Sequence, residues 1–182
     1  MIRSGSASSD AGLAVQRQSA TVAESRRCAN PGTRYDGAGS LDSMGPVAIP
    51  DSHRDLLERP INATLVTVMP SGQPQATVVW CGRDGPYVIL STMQGFQKER
   101  NMRARPQVSL VVIDPEDSGR SIEVRGTVEL VESGALADLD ALTGLYTGMP
   151  HYFGDVVPAE TAERETPVTC RVTPTRVRAE AF

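Results

Sequence analysis

From residue 50 onward, short apolar runs alternate with clusters of turn residues. NATLVTVMP (62–70) alternates apolar and polar positions and is β-branched, the pattern of a half-buried strand. Pro70-Ser71-Gly72-Gln73 is turn chemistry, and PQATVVWC (74–81) returns as a second strand, giving a hairpin. Gly82-Arg83-Asp84-Gly85 turns again before a third strand, PYVILST (86–92). QVSLVVID (107–114) and RSIEVRGTVELVE (120–132) read as the fourth and fifth strands, and TPVTCRVTPTRVRAEAF (166–182) supplies a sixth strand and a tail. Three segments follow a helical period instead. PDSHRDLLERP (50–60) predicts a short helix with Asp51 or Ser52 as N-cap and Pro60 as its stop. GFQKERNMRARP (95–106) is rich in helix formers and ends at proline. GALADLDALTGLYTG (134–148) places Leu136, Leu139, Leu142 and Leu145 three apart on an amphipathic helix.

Six strands in sequence-adjacent hairpins, interrupted by a few helices, predict a mainly β chain folded as a small antiparallel barrel. The absence of β-α-β alternation disfavours a Rossmann fold. Residues 1–43 carry no sustained pattern, are rich in Ser, Ala, Gly and Arg, and read as a disordered leader. Residues 44–182 then form one domain.

The net charge of -4 gives no basic footprint for nucleic acid, and no apolar run reaches the roughly 20 residues needed to span a bilayer. The N-terminus lacks the apolar core of a secretory signal, so a cytoplasmic protein is expected. Cys28, Cys81 and Cys170 are far apart and form no metal-binding or disulfide pattern, so no metal is expected. One compositional fact changes the picture. Of 18 basic residues, Lys98 alone is lysine, a bias that suits a GC-rich genome. A lone lysine marks a place where a compact point charge serves and a wide guanidinium fork does not. The plainer reading is a solvated helix lysine.

Lys98 falls in the informative segment STMQGFQKERNMRARPQVSL (91–110). A strand ends in Ser91-Thr92, a loop holds Gly95, and a helix starts near Phe96. Two hydroxyls, the free N–H groups of a helix N-terminus and an ammonium converge there, which suits a phosphate. Many strand-turn-helix junctions contain the same residue types without binding anything. Arg103, further along the helix, is expected to face water. Trp80 reads as a packing residue or a cover for a bound ring. His53 reads as solvated beside charged neighbours. His151, Tyr152 and Phe153 lie in a loop rich in Gly and Pro, either lining a site or plugging an interface. Asp155 and Glu160 have no spacing that signals acid-base or metal chemistry, and no catalytic residue is nominated.

The stretches LVTVMPSGQPQATVVW, VILSTMQGFQKERNMRARPQVSLVV and VRGTVELV resemble the split β-barrel flavin and deazaflavin reductases, the superfamily of pyridoxamine-phosphate oxidase. Together with LYTGMPHYFGDVVPAE and RVTPTRV, they are similar to the actinobacterial branch assigned coenzyme F-420 dependence. The resemblance spans roughly residues 50–178. It implies a six-stranded antiparallel split β-barrel of the FMN-binding kind. It also implies that Ser91, Thr92, Lys98, Arg100 and Asn101 hold the cofactor phosphate. Gln75, Ala76, Thr77, Val78 and Val79 would run beside the isoalloxazine or deazaflavin ring. Many relatives carry a basic residue where this chain has Phe96, so one phosphate contact is missing.

The resemblance implies an oxidoreductase that uses reduced coenzyme F-420 for hydride transfer to a small organic molecule. It further implies a homodimer with the cofactor at the interface. Two alternatives stay open: an FMN-dependent reductase or oxidase of the same fold, and a non-catalytic cofactor carrier.

Overall fold

The computed structural model describes residues 45–182; the expected leader lies outside the described residues. Seven strands form one antiparallel sheet: β1 (Ala63–Val68), β2 (Pro74–Val79), β3 (Cys81–Asp84), β4 (Tyr87–Met93), β5 (Gln107–Ile113), β6 (Ser121–Val131) and β7 (Pro167–Glu180). Two α-helices interrupt it, α1 (Gln97–Ala104) and α2 (Ala135–Thr147).

The strand order is β2-β1-β5-β6-β7-β4-β3. β2 and β3 therefore sit at opposite ends of the order, yet only Trp80 separates them in the chain. One nearly continuous run must reach both edges, so the sheet curls until its ends meet at Trp80. The second expected strand is thus real but divided: residues up to Val79 pair with β1, and residues from Cys81 pair with β4. Seven strands replace the expected six. The expected turn at 82–85 shrinks to Gly85-Pro86, because Gly82, Arg83 and Asp84 pair with Ile89, Val88 and Tyr87.

Period-two patterning builds the core. Ala63 and Leu65 of β1, Leu110 and Val112 of β5, and Ile122 and Val124 of β6 are fully or almost fully buried. Val88, Leu90, Cys170 and Val172 continue the same interior across β4 and β7. A shift in the β6–β7 register at Arg125/Gly126 bends the long hairpin there. A Cβ on Gly126 would stand 2.3 Å from the Thr173 carbonyl oxygen, so no side chain fits at that bend.

The segment before β1 is a 3-10 helix, Asp51–Leu57, that buries Leu56 and Leu57. Its N-cap is Pro50, not Asp51 or Ser52, and no side chain caps it. Ser52 Oγ instead lies 2.9 Å from His53 Nδ1. His53 is buried rather than solvated, with Nε2 3.0 Å from the Glu180 carbonyl oxygen. The α2 stripe is narrower than its leucine spacing suggests. Leu139 and Leu142 are buried while Leu136 and Leu145 are exposed, because a three-residue step drifts around a helix of 3.6 residues per turn. No helix among the described residues is long and apolar enough to cross a membrane.

Candidate functional site

α1 is held in place by a buried side chain. Asn101 Nδ2 donates to Thr67 Oγ1 and to Gln75 Oε1, both at 3.0 Å, tying the helix to β1 and β2. Its Oδ1 accepts from Gln97 Nε2 at 2.8 Å. The helix N-cap is Phe96, which has no side-chain acceptor to offer. Glu99 reaches back instead, accepting the Gly95 N–H at 3.2 Å from a buried position. Gly95 sits at φ +77°, a conformation that lets the chain turn sharply from β4 into α1.

This turn forms one wall of a cavity of about 660 Å³. Ser91, Thr92 and Met93 contribute the end of β4, and Phe96 and Lys98 the start of α1. Val78, Val79 and Trp80 add the bend between β2 and β3. Leu139 and Leu142 of α2 line another side, with Tyr152, Val156, Val157 and Pro158 from the following loop. Trp80 stacks on Tyr146 with ring centroids 5.1 Å apart, and meets Tyr152 edge-on at 6.3 Å. It is both a packing residue and part of the cavity wall.

Two side-chain oxygens of this wall are unsatisfied. Ser91 Oγ and Thr92 Oγ1 are buried and have no hydrogen-bond partner among the described residues, and Thr92 is only 4% exposed. Native structures rarely leave such atoms unpaired without a ligand or water to meet them. Both residues line the cavity at the point where β4 ends at Met93. Lys98 forms no ion pair among the described residues; its Nζ lies 5.4 Å from the centre of the Phe96 ring. Burial pulls its pKa below the usual lysine value. A half-buried ammonium with no ion pair among the described residues, two buried hydroxyls and a helix N-terminus on one cavity wall are a donor set that suits an anion. These residues fit a phosphate group.

Of the ten expected cofactor residues, five line this cavity: Val78, Val79, Ser91, Thr92 and Lys98. Gln75, Ala76 and Thr77 precede Val78 on β2 and do not line it. Asn101 is committed to holding α1, and Arg100 folds back on the Gly95 carbonyl oxygen at 2.5 Å and Gln97 Oε1 at 2.9 Å. Arg103 does not simply face water, since it binds the buried Glu99 carboxylate at 2.7 Å and Glu132 at 3.3 Å.

Of the aromatic loop, Tyr152 lines the cavity and Phe153 packs edge-on against it at 5.3 Å. Burial, and then the Glu165 carboxylate, raise the Tyr152 pKa. His151 points to Asp140, 3.1 Å away, on the exposed surface. Sequence reasoning missed Asn62, Leu139, Leu142, Thr161 and Glu165, all of which line the cavity. Asn62 arrives at the start of β1, Leu139 and Leu142 on α2, and Thr161 and Glu165 from the loop after it, and no local motif marks them.

Residues 49–179 match the pyridoxamine 5'-phosphate oxidase family. Among curated proteins, none matches the chain. Among solved structures, an F420 reductase is 35% identical with a TM-score of 0.61, over 71% of this chain and 98% of its own. The conserved hypothetical protein Rv2991 from Mycobacterium tuberculosis is 26% identical with a TM-score of 0.60, over 75% and 86% respectively. A pyridoxamine 5'-phosphate oxidase-like protein from Listeria innocua, 18% identical, shares the fold with a TM-score of 0.55, over 71% and 95%. The curled antiparallel sheet, its division at Trp80 and the family match over most of its length agree: the chain belongs to the pyridoxamine 5'-phosphate oxidase family, in the split-barrel superfamily.

Proposed function

We propose that the protein is an oxidoreductase that binds a deazaflavin of the coenzyme F-420 type and reduces a small organic molecule. The observation that carries this reading is the pair of orphaned hydroxyls, Ser91 and Thr92, sharing a cavity with the unpaired Lys98. The 35% identity to an F420 reductase supports deazaflavin over FMN. The family match keeps FMN as the second reading.

When bound, the reduced cofactor supplies the hydride. The protein's own work is placement. Ser91 and Thr92 donate hydrogen bonds to the phosphate, and Lys98 adds the point charge. Val78 and Val79 border the ring, with the backbone of Gln75, Ala76 and Thr77 extending that edge along β2. Asn101 serves by fixing α1, and Arg100 by bracing the Gly95 turn. Trp80, Leu139, Leu142 and Val156 exclude water, and Tyr152 presents a hydroxyl whose raised pKa keeps it protonated.

The protein acts as a cytoplasmic homodimer in this reading. Residue pairing aligns Val78, Thr64 and Val111 across the outer face of β2, β1 and β5. Val78 is 68% exposed there and also lines the cavity, so a second copy on this face would border the cofactor.

Titration of the purified protein with the deazaflavin and with FMN, followed by turnover with reduced deazaflavin and a panel of unsaturated acceptors, tests the proposal. Tight deazaflavin binding with turnover is expected. Binding without turnover under any donor would point to a carrier, and binding of neither compound would overturn the reading. Light scattering at micromolar concentration should report twice the chain mass.

A further inference from the structure

Residues 149–158 wall one side of the cavity with Tyr152, Val156, Val157 and Pro158, yet among the described residues they make no hydrogen bond to any strand. The loop is bonded mainly to itself. The Val156 and Val157 N–H groups donate to the Tyr152 carbonyl at 3.1 and 3.0 Å, and the Gly154 N–H donates to the Val157 carbonyl at 2.7 Å. The Met149 N–H donates to Thr147 Oγ1 beside it, and Gly148, at φ +75°, is where the chain leaves α2. One carboxylate of α2 then holds the loop down. Asp140 Oδ1 accepts the Tyr152 N–H at 2.8 Å, and its Oδ2 lies 3.1 Å from His151 Nδ1. The first contact is partly buried and the second exposed, so the first is the stronger. α2 is itself fixed to the barrel: Tyr146 donates to the Ile61 carbonyl, and Asp138 accepts from Thr169 Oγ1 on β7, each at 2.6 Å. Asp140 passes that anchorage on to the loop.

We propose that Asp140 is a positioning residue that latches residues 149–158 shut as a wall of the cavity, so that ligand entry and release on that side require the latch to open. The loop meets the opposite wall through Tyr152, whose ring stands edge-on to Trp80 at 6.3 Å. A segment without hydrogen bonds to the sheet opens at a lower free energy than the strands beneath it. Its internal bonds let it move as one piece, pivoting where it leaves α2. Loss of a charge-assisted bond of the Asp140 kind raises the open fraction about tenfold. The latch involves α2 and the loop, whatever ligand the cavity takes.

Trp80 is the single tryptophan of the chain and stands in the cavity wall beside Tyr152. Acrylamide quenching of its fluorescence therefore reads the closure in ligand-free protein. Asp140→Ala, at a helix position that alanine suits, should raise the quenching constant about twofold or more and leave the melting temperature close to that of wild type. Asp140→Asn keeps an Oδ1 acceptor for the Tyr152 N–H and should be quenched like wild type. His151→Ala removes only the exposed contact and should behave in the same way. In protein loaded with the deazaflavin, Asp140→Ala should release it about tenfold faster, followed by stopped-flow fluorescence.

Wild-type quenching in Asp140→Ala would overturn the proposal. So would deazaflavin release at the wild-type rate from an Asp140→Ala protein whose Trp80 has become accessible. A rise in quenching shared by Asp140→Ala and Asp140→Asn, with a fall of several degrees in both melting temperatures, would also overturn it, making Asp140 a residue that only stabilises α2. The release measurement alone rests on the deazaflavin reading: failure of the wild type to load the cofactor sinks that reading, and the quenching result still decides the latch.

Discussion

The hydroxyl of Tyr146 accepts the Cys81 backbone N–H at 3.0 Å and donates to the Ile61 carbonyl at 2.6 Å, pinning α2 to the point where the sheet closes. Cys81 is the first residue after the Trp80 break, and the Tyr146 ring stacks on Trp80 itself. One side chain therefore secures both the closure of the barrel and a wall of the cavity. Burial is the largest cause of the raised Tyr146 pKa, so the group remains a donor across the physiological range.

Tyr146→Phe keeps the stacked ring and removes both hydrogen bonds, leaving a buried N–H and a carbonyl without their partner. Such a loss costs about 1–3 kcal/mol. Urea unfolding should show a lower midpoint with an unchanged slope. Cofactor affinity should fall severalfold, because the ring stacked on Trp80 is no longer tethered at Ile61 and Cys81. A midpoint equal to wild type would show that the hydroxyl contributes nothing to closure.

Gly126→Ala tests the bend in the long hairpin. The added methyl would meet the Thr173 carbonyl oxygen at 2.3 Å and Val172 Cγ1 at 2.7 Å, both inside the paired β6–β7 ladder. Backbone must move to admit it, and overpacking of this kind destabilises by about 1–3 kcal/mol or more. The expected result is a drop in melting temperature of several degrees. A variant as stable as wild type would mean that the ladder yields at the bend.

Much of this architecture was legible in the pattern of residues, and the exceptions have physical causes. Strands β1, β4, β5 and β6 follow their alternating segments to within one or two residues. The break at Trp80 was hidden because Val79, Trp80 and Cys81 continue an uninterrupted apolar run, and only partner exchange divides it. His53 looks solvated among charged neighbours because the contact that buries it lies 127 residues away, at Glu180. The wall of Ser91, Thr92 and Lys98 was readable because it is local, falling within eight residues from Ser91 to Lys98. The apolar wall was not, since Leu139 and Leu142 differ from ordinary core leucines only in what the fold sets opposite them.

Acid should loosen the contact between the first 3-10 helix and the β5–β6 turn. Arg120 bonds both Asp55 and Asp114 there, and Arg59 joins them. The Arg120 guanidinium is the main cause that holds the Asp55 pKa at about 2, below its ordinary 3.8. A carboxyl whose folded pKa is depressed stabilises the fold above its unfolded value and loses that contribution as pH falls through the folded one. The window is therefore pH 4 to 2. Melting temperature should fall more steeply across it in wild type than in Asp55→Asn, and parallel curves would remove Asp55 from the account.

Removal of residues 1–43 should leave both the melting temperature and cofactor affinity unchanged. The segment has little apolar content to bury, and the family match begins at residue 49. The described fold engages the chain from Val47, whose N–H bonds the Pro174 carbonyl at 2.8 Å. Calorimetry and cofactor titration of the truncated protein check this, and a clear drop in either would make the segment part of the functional unit.

Variants of Lys98 and Thr92 test whether the cavity holds a phosphate. Lys98→Ala removes a charge-assisted contact worth roughly 1.5–3 kcal/mol, so cofactor affinity should fall about tenfold to a hundredfold. Lys98→Arg should restore only part of it, because a wide planar fork must fit where a compact ammonium sat beside Phe96. Arg103→Ala is not a neutral control, since it strips the buried Glu99 of its charged partner and should lower stability. Thr92→Val is the sharper companion. It replaces an unpartnered buried hydroxyl with a methyl of similar shape, so stability should hold or rise while affinity for the cofactor falls severalfold. A purely structural residue would move the two quantities in the same direction. Fluorescence titration gives the affinities, and thermal unfolding followed by far-ultraviolet dichroism gives the stabilities. Unchanged affinity in both Lys98→Ala and Thr92→Val would dismiss the phosphate, leaving two orphaned hydroxyls and an unpaired lysine that serve some other anion or none.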